Sequence, residues 1–215
     1  AVLGFRTPEP GNYGRLIQDE DGNLEAIVEA RDASPEQLAS PLCNSGFMAV
    51  DGAKLAGLVR RLCNDNAKGE YYLTDLVALA RADGAACAMA EGDARELMGI
   101  NSRAELAQAE AAVQDALRTA AMAAGATLAD PSSVHFSYDT RIGRDVSIEP
   151  HVVFGPGVEI GDGAQIRAFS HIEGARIAPG ATIGPYARLR PGADIADGVH
   201  IGNFVEVKES RLASG

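Results

Sequence analysis

Through the second half of the chain an apolar residue returns at every sixth position. The series runs Ile142, Ile148, Phe154, Ile160, Ile166 and Ile172, then Ile177, Ile183, Leu189, Ile195, Ile201 and Val207. Its one irregularity is the five-residue step from Ile172 to Ile177. Four residues after most of these sits a small or branched residue, such as Val146, Val152, Val158, Ala164, Ser170, Ala181, Ala187 or Ala193. A helix repeats at 3.6 residues and a strand at 2, so neither sustains this period. Hexapeptide repeats instead mark a parallel β-helix, in which short strands wind around an apolar axis. Three repeats make one triangular coil, which predicts about four coils at ~4.8 Å each, a prism roughly 20 Å long. Each inward aliphatic contributes at most about 1.5–3 kcal/mol of burial. A loop-rich β-sandwich is the competing architecture, and the sustained period argues against it.

The 215 residues suffice for one large domain or two modest ones. A net charge of −11 argues against nucleic acid or an anionic membrane surface as the main partner. Cys43, Cys63 and Cys87 have no metal-ligand spacing, and their odd number suits a reducing cytoplasm. No run approaches the ~18 apolar residues of a membrane span. The chain opens without Met on the strand-like run Ala1-Val2-Leu3-Gly4-Phe5 and ends inside the repeats, so it reads as an internal fragment of a longer protein.

Residues 1 to about 101 read as α/β. Arg15-Leu16-Ile17 and Leu24 to Glu29 flank the hairpin dipeptide Asp21-Gly22. Gly46 to Val50 and Ala85 to Met89 are predicted strands. Asp51 is placed to cap a helix with Leu55, Leu58, Val59 and Leu62 on one face, and Thr74 to cap a second. This alternation predicts a largely parallel, layered sheet that lacks its first half. Ser102-Arg103-Ala104-Glu105 is a capping box, and the Ala/Leu/Glu/Gln-rich run to Ala124 predicts a connecting helix of roughly 33 Å, stopped by Gly125.

Arg190 and Lys208 lie eighteen residues apart, one full coil, and each follows an inward apolar residue. They are expected to stack on one face. Two cations ~5 Å apart repel by about 0.8 kcal/mol in water and about 3 kcal/mol at an effective dielectric of ~20. Such a pair is either splayed into solvent or used to clamp a phosphate. The segment Arg188-Leu189-Arg190-Pro191-Gly192 fixes a corner beside the guanidinium and favours the clamp. Elsewhere, polar residues gather at element ends. Gly14 permits close backbone approach, Glu29 ends a strand, Asn44 precedes Ser45-Gly46, Tyr72 and Thr74 lead into a helix N-terminus, and Asn101 precedes the connector cap. Singly, each also has a structural explanation as a turn glycine, solvated carboxylate, turn amide or cap. The chain has neither a Walker loop nor GxGxxG. His135, His151, His171 and His200 lie in or near the repeats and read as structural or solvated.

Taken together, these motifs resemble the bacterial bifunctional N-acetylglucosamine-1-phosphate uridyltransferase / glucosamine-1-phosphate N-acetyltransferase family. The matching segments are Tyr13-Gly14-Arg15-Leu16, Ile27-Val28-Glu29, Asn44-Ser45-Gly46, Gly69 to Asp75, Gly99 to Arg103, Gly184 to Gly192 and Gly202 to Lys208, in family order. The resemblance implies part of a Rossmann-like nucleotidyltransferase domain over 1–103 and a helical linker over 104–125. It implies the first part of a trimeric, left-handed β-helix acetyltransferase over 126–215. By position, Gly14, Glu29, Asn44, Tyr72, Thr74 and Asn101 would contact UDP-N-acetylglucosamine, with Asn101 also on Mg²⁺. Arg190 and Lys208 would bind the phosphosugar in the acetyltransferase site. UTP and acetyl-CoA are the implied co-substrates, sugar phosphates the further ligands, and the cytoplasm the location. The glycine-rich nucleotide loop and the aspartate partner of Asn101 would precede Ala1, and the general-base histidine would follow Gly215, so no catalytic residue is expected within the chain and neither site is complete. Two alternatives differ in class: another sugar-1-phosphate nucleotidyltransferase with a non-catalytic β-helix, and a structural trimerisation module.

Overall fold

The computed structural model describes residues 1–214. Two compact units divide the chain, Ala1–Glu105 and Leu106–Gly215.

The first unit holds a five-stranded sheet. Its strands are β1 (Val2–Arg6), β2 (Arg15–Gln18), β3 (Leu24–Val28), β4 (Leu42–Met48) and β5 (Met89–Glu91), in the order β3-β2-β4-β1-β5. The sheet is mostly antiparallel, which corrects the expected parallel arrangement. The pairs β2–β3, β2–β4 and β1–β4 are antiparallel, and only β1–β5 is parallel. Connection length is the reason, since a parallel neighbour needs a crossover of a dozen or more residues. β2 and β3 are joined by the short turn from Asp19 to Asn23, where Asp19 Oδ1 accepts the Asn23 N–H at 2.8 Å and Gly22 takes φ +81°. Between β3 and β4 stands only the single-turn helix α1 (Pro35–Leu38).

Helices α2 (Gly52–Val59) and α3 (Leu76–Ala82) follow β4. Asp51 caps α2 as expected, its carboxylate accepting the Ala53 N–H at 2.9 Å. The apolar face expected of that helix is mostly uncovered, however: Leu58 is buried while Leu55 and Val59 are exposed. Thr74 does not cap α3. It sits in a 3-10 turn, Leu73–Asp75, and its hydroxyl turns to Glu29 instead. Val2, Leu16, Leu24, Ile27, Leu42 and Val77 form the main core of this unit.

The second unit is a parallel β-solenoid. One face stacks Thr127–Leu128, Ser147–Ile148, Gln165–Ile166, Thr182–Ile183 and His200–Ile201. The next stacks Val153–Phe154, His171–Ile172, Arg188–Leu189 and Glu206–Val207, and His135 bridges to Val153 at its head. The third stacks Arg141–Ile142, Glu159–Ile160, Ala175–Ile177, Ala193–Ile195 and Arg211–Leu212. Two faces thus carry five strands rather than the expected four: Thr127–Leu128 adds a level before Ile148 on the first, where Val134 and Phe136 join the core, and Arg211–Leu212 adds one after Ile195 on the third. The irregular step is absorbed without loss of register: Ile160 pairs with Ile177. Ile148, Ile160, Ile183 and Ile201 are buried with Val146, Val152 and Val158, as the period requires. Burial fades at the ends, where Ile142 and Val199 are half-buried and Val205 is exposed.

The long helix α4 runs from Arg103 to Ala123 and ends at Gly125, φ +109°, with the Ala126 N–H donating back to the Ala121 carbonyl at 3.0 Å. Its second half is no bare connector. Leu117 and Ala121 pack on the solenoid core, Arg118 Nε donates to the Val134 carbonyl at 2.8 Å, and Gln114 is buried.

Candidate functional site

In the first unit the register of the sheet assembles three of the expected residues. Arg15 is opposite Val28 on one side and Cys43 on the other. One step along antiparallel strands therefore sets Gly14 beside Glu29 and Asn44, in a row across the sheet end. The Asn44 N–H donates to the Gly14 carbonyl at 2.8 Å, and Asn44 Oδ1 accepts the Gly46 N–H at 3.1 Å. A Cβ on Gly14 would meet Ile27, Val28 and Asn44 no closer than 3.5 Å. The protein's own packing does not demand glycine there, which leaves close approach of another molecule as a physical reason for it.

Glu29 reaches Thr74, whose hydroxyl donates to Glu29 Oε1 at 3.2 Å. The Tyr72 hydroxyl is buried with no hydrogen-bond partner among the described residues. Burial first, then the carboxylates of Asp32, Glu70 and Glu29, push its pKa up. Asp75 is likewise raised, by burial and then by Asp32. Asp32 was not among the expected residues. Its only sequence signal is its place three residues after Glu29, and it anchors the facing loop by accepting the Ala67 N–H at 2.9 Å.

Asn101 is exposed. The segment before it is tethered: the Gly99 N–H donates to the Tyr13 hydroxyl at 2.8 Å, one residue from Gly14. The capping box forms with a shift. Glu105 accepts the Asn101 N–H at 2.6 Å, while Ser102 accepts the Glu105 N–H at 3.2 Å. An amide oxygen suits a hard cation such as Mg²⁺, but one donor does not hold it. Among the described residues no group of three or more His, Cys, Asp or Glu side chains is arranged for a metal. The residues present therefore do not make a Mg²⁺ site by themselves.

In the solenoid Leu189 pairs with Val207, so Arg190 and Lys208 stand in register on neighbouring coils. The Arg190 N–H donates to the Val207 carbonyl at 2.9 Å. Their repulsion is offset by acids: Arg190 Nη1 lies 3.0 Å from Glu206 Oε1, and Lys208 Nζ lies 3.7 Å from Glu209 Oε1. Arg190 Nε is buried without a partner among the described residues. An incoming phosphate would compete with Glu206 for the guanidinium, an exposed pair worth only about 0.2–1 kcal/mol. Gly192, at φ +84°, turns the corner beside Arg190, and a Cβ there would press on Glu209 Cα at 3.1 Å.

Residues 139–174 and 174–209 match the family described as bacterial transferase hexapeptide (six repeats). Over 214 residues, all of this chain, it is 60% identical to a "Bifunctional protein GlmU" of Paramagnetospirillum magneticum, covering 47% of that protein. A protein of the same name from Jannaschia sp. is 54% identical over 214 residues, again all of this chain and 47% of the relative. One from Rhodospirillum rubrum is 64% identical over 177 residues, 82% of this chain and 40% of the relative. The chain thus spans about half the length of the curated relatives it matches, and the family resemblance read from its motifs holds. No helix among the described residues is long and apolar enough to cross a membrane.

Proposed function

We propose that this chain serves a cytoplasmic bifunctional transferase that makes UDP-N-acetylglucosamine, a precursor of peptidoglycan, lipopolysaccharide and lipid A. In the first reaction the amine of glucosamine-1-phosphate attacks the acetyl carbonyl of acetyl-CoA, the thioester C–S bond breaks and CoA leaves, while a general base takes the amine proton. In the second, N-acetylglucosamine-1-phosphate attacks the α-phosphate of UTP and releases pyrophosphate, a reaction in which bound Mg²⁺ would stabilise the developing charge. The first unit belongs to a Rossmann-like nucleotidyltransferase domain, with Gly14, Glu29, Asn44, Tyr72, Thr74 and Asn101 facing the nucleotide sugar. The solenoid is a left-handed acetyltransferase β-helix that associates as a homotrimer. The observation that carries this reading is the register of Arg190 with Lys208 in a chain that aligns along its whole length with such relatives. Paired cations in register answer to a phosphosugar ligand, which a solenoid used only for assembly does not need.

Residues 1–215 alone are expected to show neither activity. The test separates the two reactions in the longer protein. Asn101→Ala should abolish most UTP-dependent pyrophosphate release and leave release of free CoA near wild type. Equal loss of both in a folded variant would contradict the assignment.

A further inference from the structure

Among the described residues Arg15 is the only charged one that is buried, with 3% exposure. Its hydrogen bonds all go to main-chain carbonyls: Nη1 donates to Tyr13, and Nη2 to Gly11 at 3.3 Å and to Leu38 at 3.5 Å. Nε is buried without a partner, and no ion pair among the described residues includes this guanidinium. A buried cation with no carboxylate beside it is costly, and an apolar residue of similar length would fill the place more cheaply. Departures of this kind concentrate where a site needs them.

What the cation grips is the peptide that joins Tyr13 to Gly14. In a planar trans peptide the oxygen and the N–H point in opposite directions. With its oxygen held by Nη1, this peptide turns the Gly14 N–H away from the guanidinium. No acceptor meets that N–H among the described residues. The next peptide is fixed from another side, the Asn44 N–H donating to the Gly14 carbonyl at 2.8 Å. Both peptides flanking Gly14 are therefore held, one by a buried cation and one by β4. Nη2 adds the Gly11 carbonyl, where the turn passes through φ +45°, and the last residue of α1. One side chain thus braces the whole approach to Gly14, next to Glu29 and Asn44 in the row across the sheet end.

We propose that Arg15 is a positioning residue of the nucleotide-sugar site: its buried guanidinium holds the Tyr13–Gly14 peptide so that the free Gly14 N–H is aimed at the bound nucleotide sugar. Arg15 itself does not touch that ligand. This rests on the nucleotide-sugar site proposed above and adds the residue that sets its geometry.

The test is isothermal titration calorimetry of UDP-N-acetylglucosamine into the longer protein, which reads both the dissociation constant and the fraction of molecules that bind. Arg15→Met removes the grip, and Arg15→Lys keeps the charge on a point-like head that cannot fork to several carbonyls. A residue needed only for folding lowers the binding fraction and leaves the constant of the remaining molecules unchanged. A positioning residue does the reverse, because the loosened peptide must be ordered on binding. The expected result is a dissociation constant raised about tenfold or more by Arg15→Met and about threefold by Arg15→Lys, with the binding fraction and the release of free CoA near wild type. If Arg15→Met does not fold, Arg15→Lys decides on the same criterion. A lysine variant with the wild-type constant overturns the role of Arg15 and leaves the nucleotide-sugar site standing. So does a fall in the binding fraction alone, or the failure of both variants to fold, either of which makes Arg15 a structural residue. A wild-type protein that does not bind UDP-N-acetylglucosamine overturns the site, and the role of Arg15 with it.

Discussion

Gln114→Leu should detach the long helix from the first level of the solenoid. The Gln114 side chain completes a strand that has no neighbour at this point. Its Oε1 accepts the Phe136 N–H at 2.9 Å, and its Nε2 donates to the Phe136 carbonyl at 2.7 Å. Both residues are nearly sealed from water, with exposures of 4% and 3%. Leucine would fill a similar volume but leave two buried main-chain groups unpaired. Each such group costs about 1–3 kcal/mol, giving roughly 2–6 kcal/mol in total. Because coils of a solenoid support only their neighbours, the loss should be concentrated at this end. Hydrogen exchange read by NMR would then show protection of the Phe136 amide falling roughly thirtyfold or more, while amides near Ile183 change little. Gln114→Glu should fall between, since a carboxylate accepts the N–H but cannot donate to the carbonyl. If Gln114→Leu keeps both the protection of Phe136 and the urea midpoint, the amide clamp is incidental.

Two further outcomes follow from the solenoid. Ile166→Ala, at a fully buried position, should destabilise the second unit by about 2–5 kcal/mol in urea denaturation, and Ile166→Val by about 0.5–1.5 kcal/mol; equal effects would mean the axis is loosely packed. Asp139 is held below the ordinary carboxylate range, chiefly by Ser137 and then by the Gly157 N–H at 2.8 Å. A lowered folded pKa contributes stability that is fully present above about pH 4 and is lost as pH falls through the folded value. Asp139→Asn should therefore flatten the thermal stability profile below about pH 4; an unchanged acid slope would refute the role.

Much of the solenoid was legible because its inward residues repeat along the chain. Even the five-residue step was visible, since removing one corner residue leaves the inward series intact. The first level was not, because Asp130-Pro131 and a 3-10 turn interrupt the period between Leu128 and Val134. In the first unit, alternating strands and helices gave the elements but not their directions, which depend on loop length. The row of Gly14, Glu29 and Asn44 arises only from strand pairing, and the turn of Thr74 toward Glu29 only from tertiary contact.

The central claim is that Arg190 and Lys208 together hold a phosphate, and steady-state acetyl transfer by the longer protein tests it on two substrates. With glucosamine-1-phosphate, Arg190→Ala or Lys208→Ala should each remove a charge-assisted bond worth about 1.5–3 kcal/mol, lowering kcat/KM roughly ten- to a hundredfold. The double variant should lose less than the sum of the singles, because the two cations share one ligand. With glucosamine, which has no phosphate, wild type should be slow and the substitutions should change little. If the variants keep wild-type kcat/KM for glucosamine-1-phosphate, the two cations are solvated surface charge and the phosphosugar binds elsewhere.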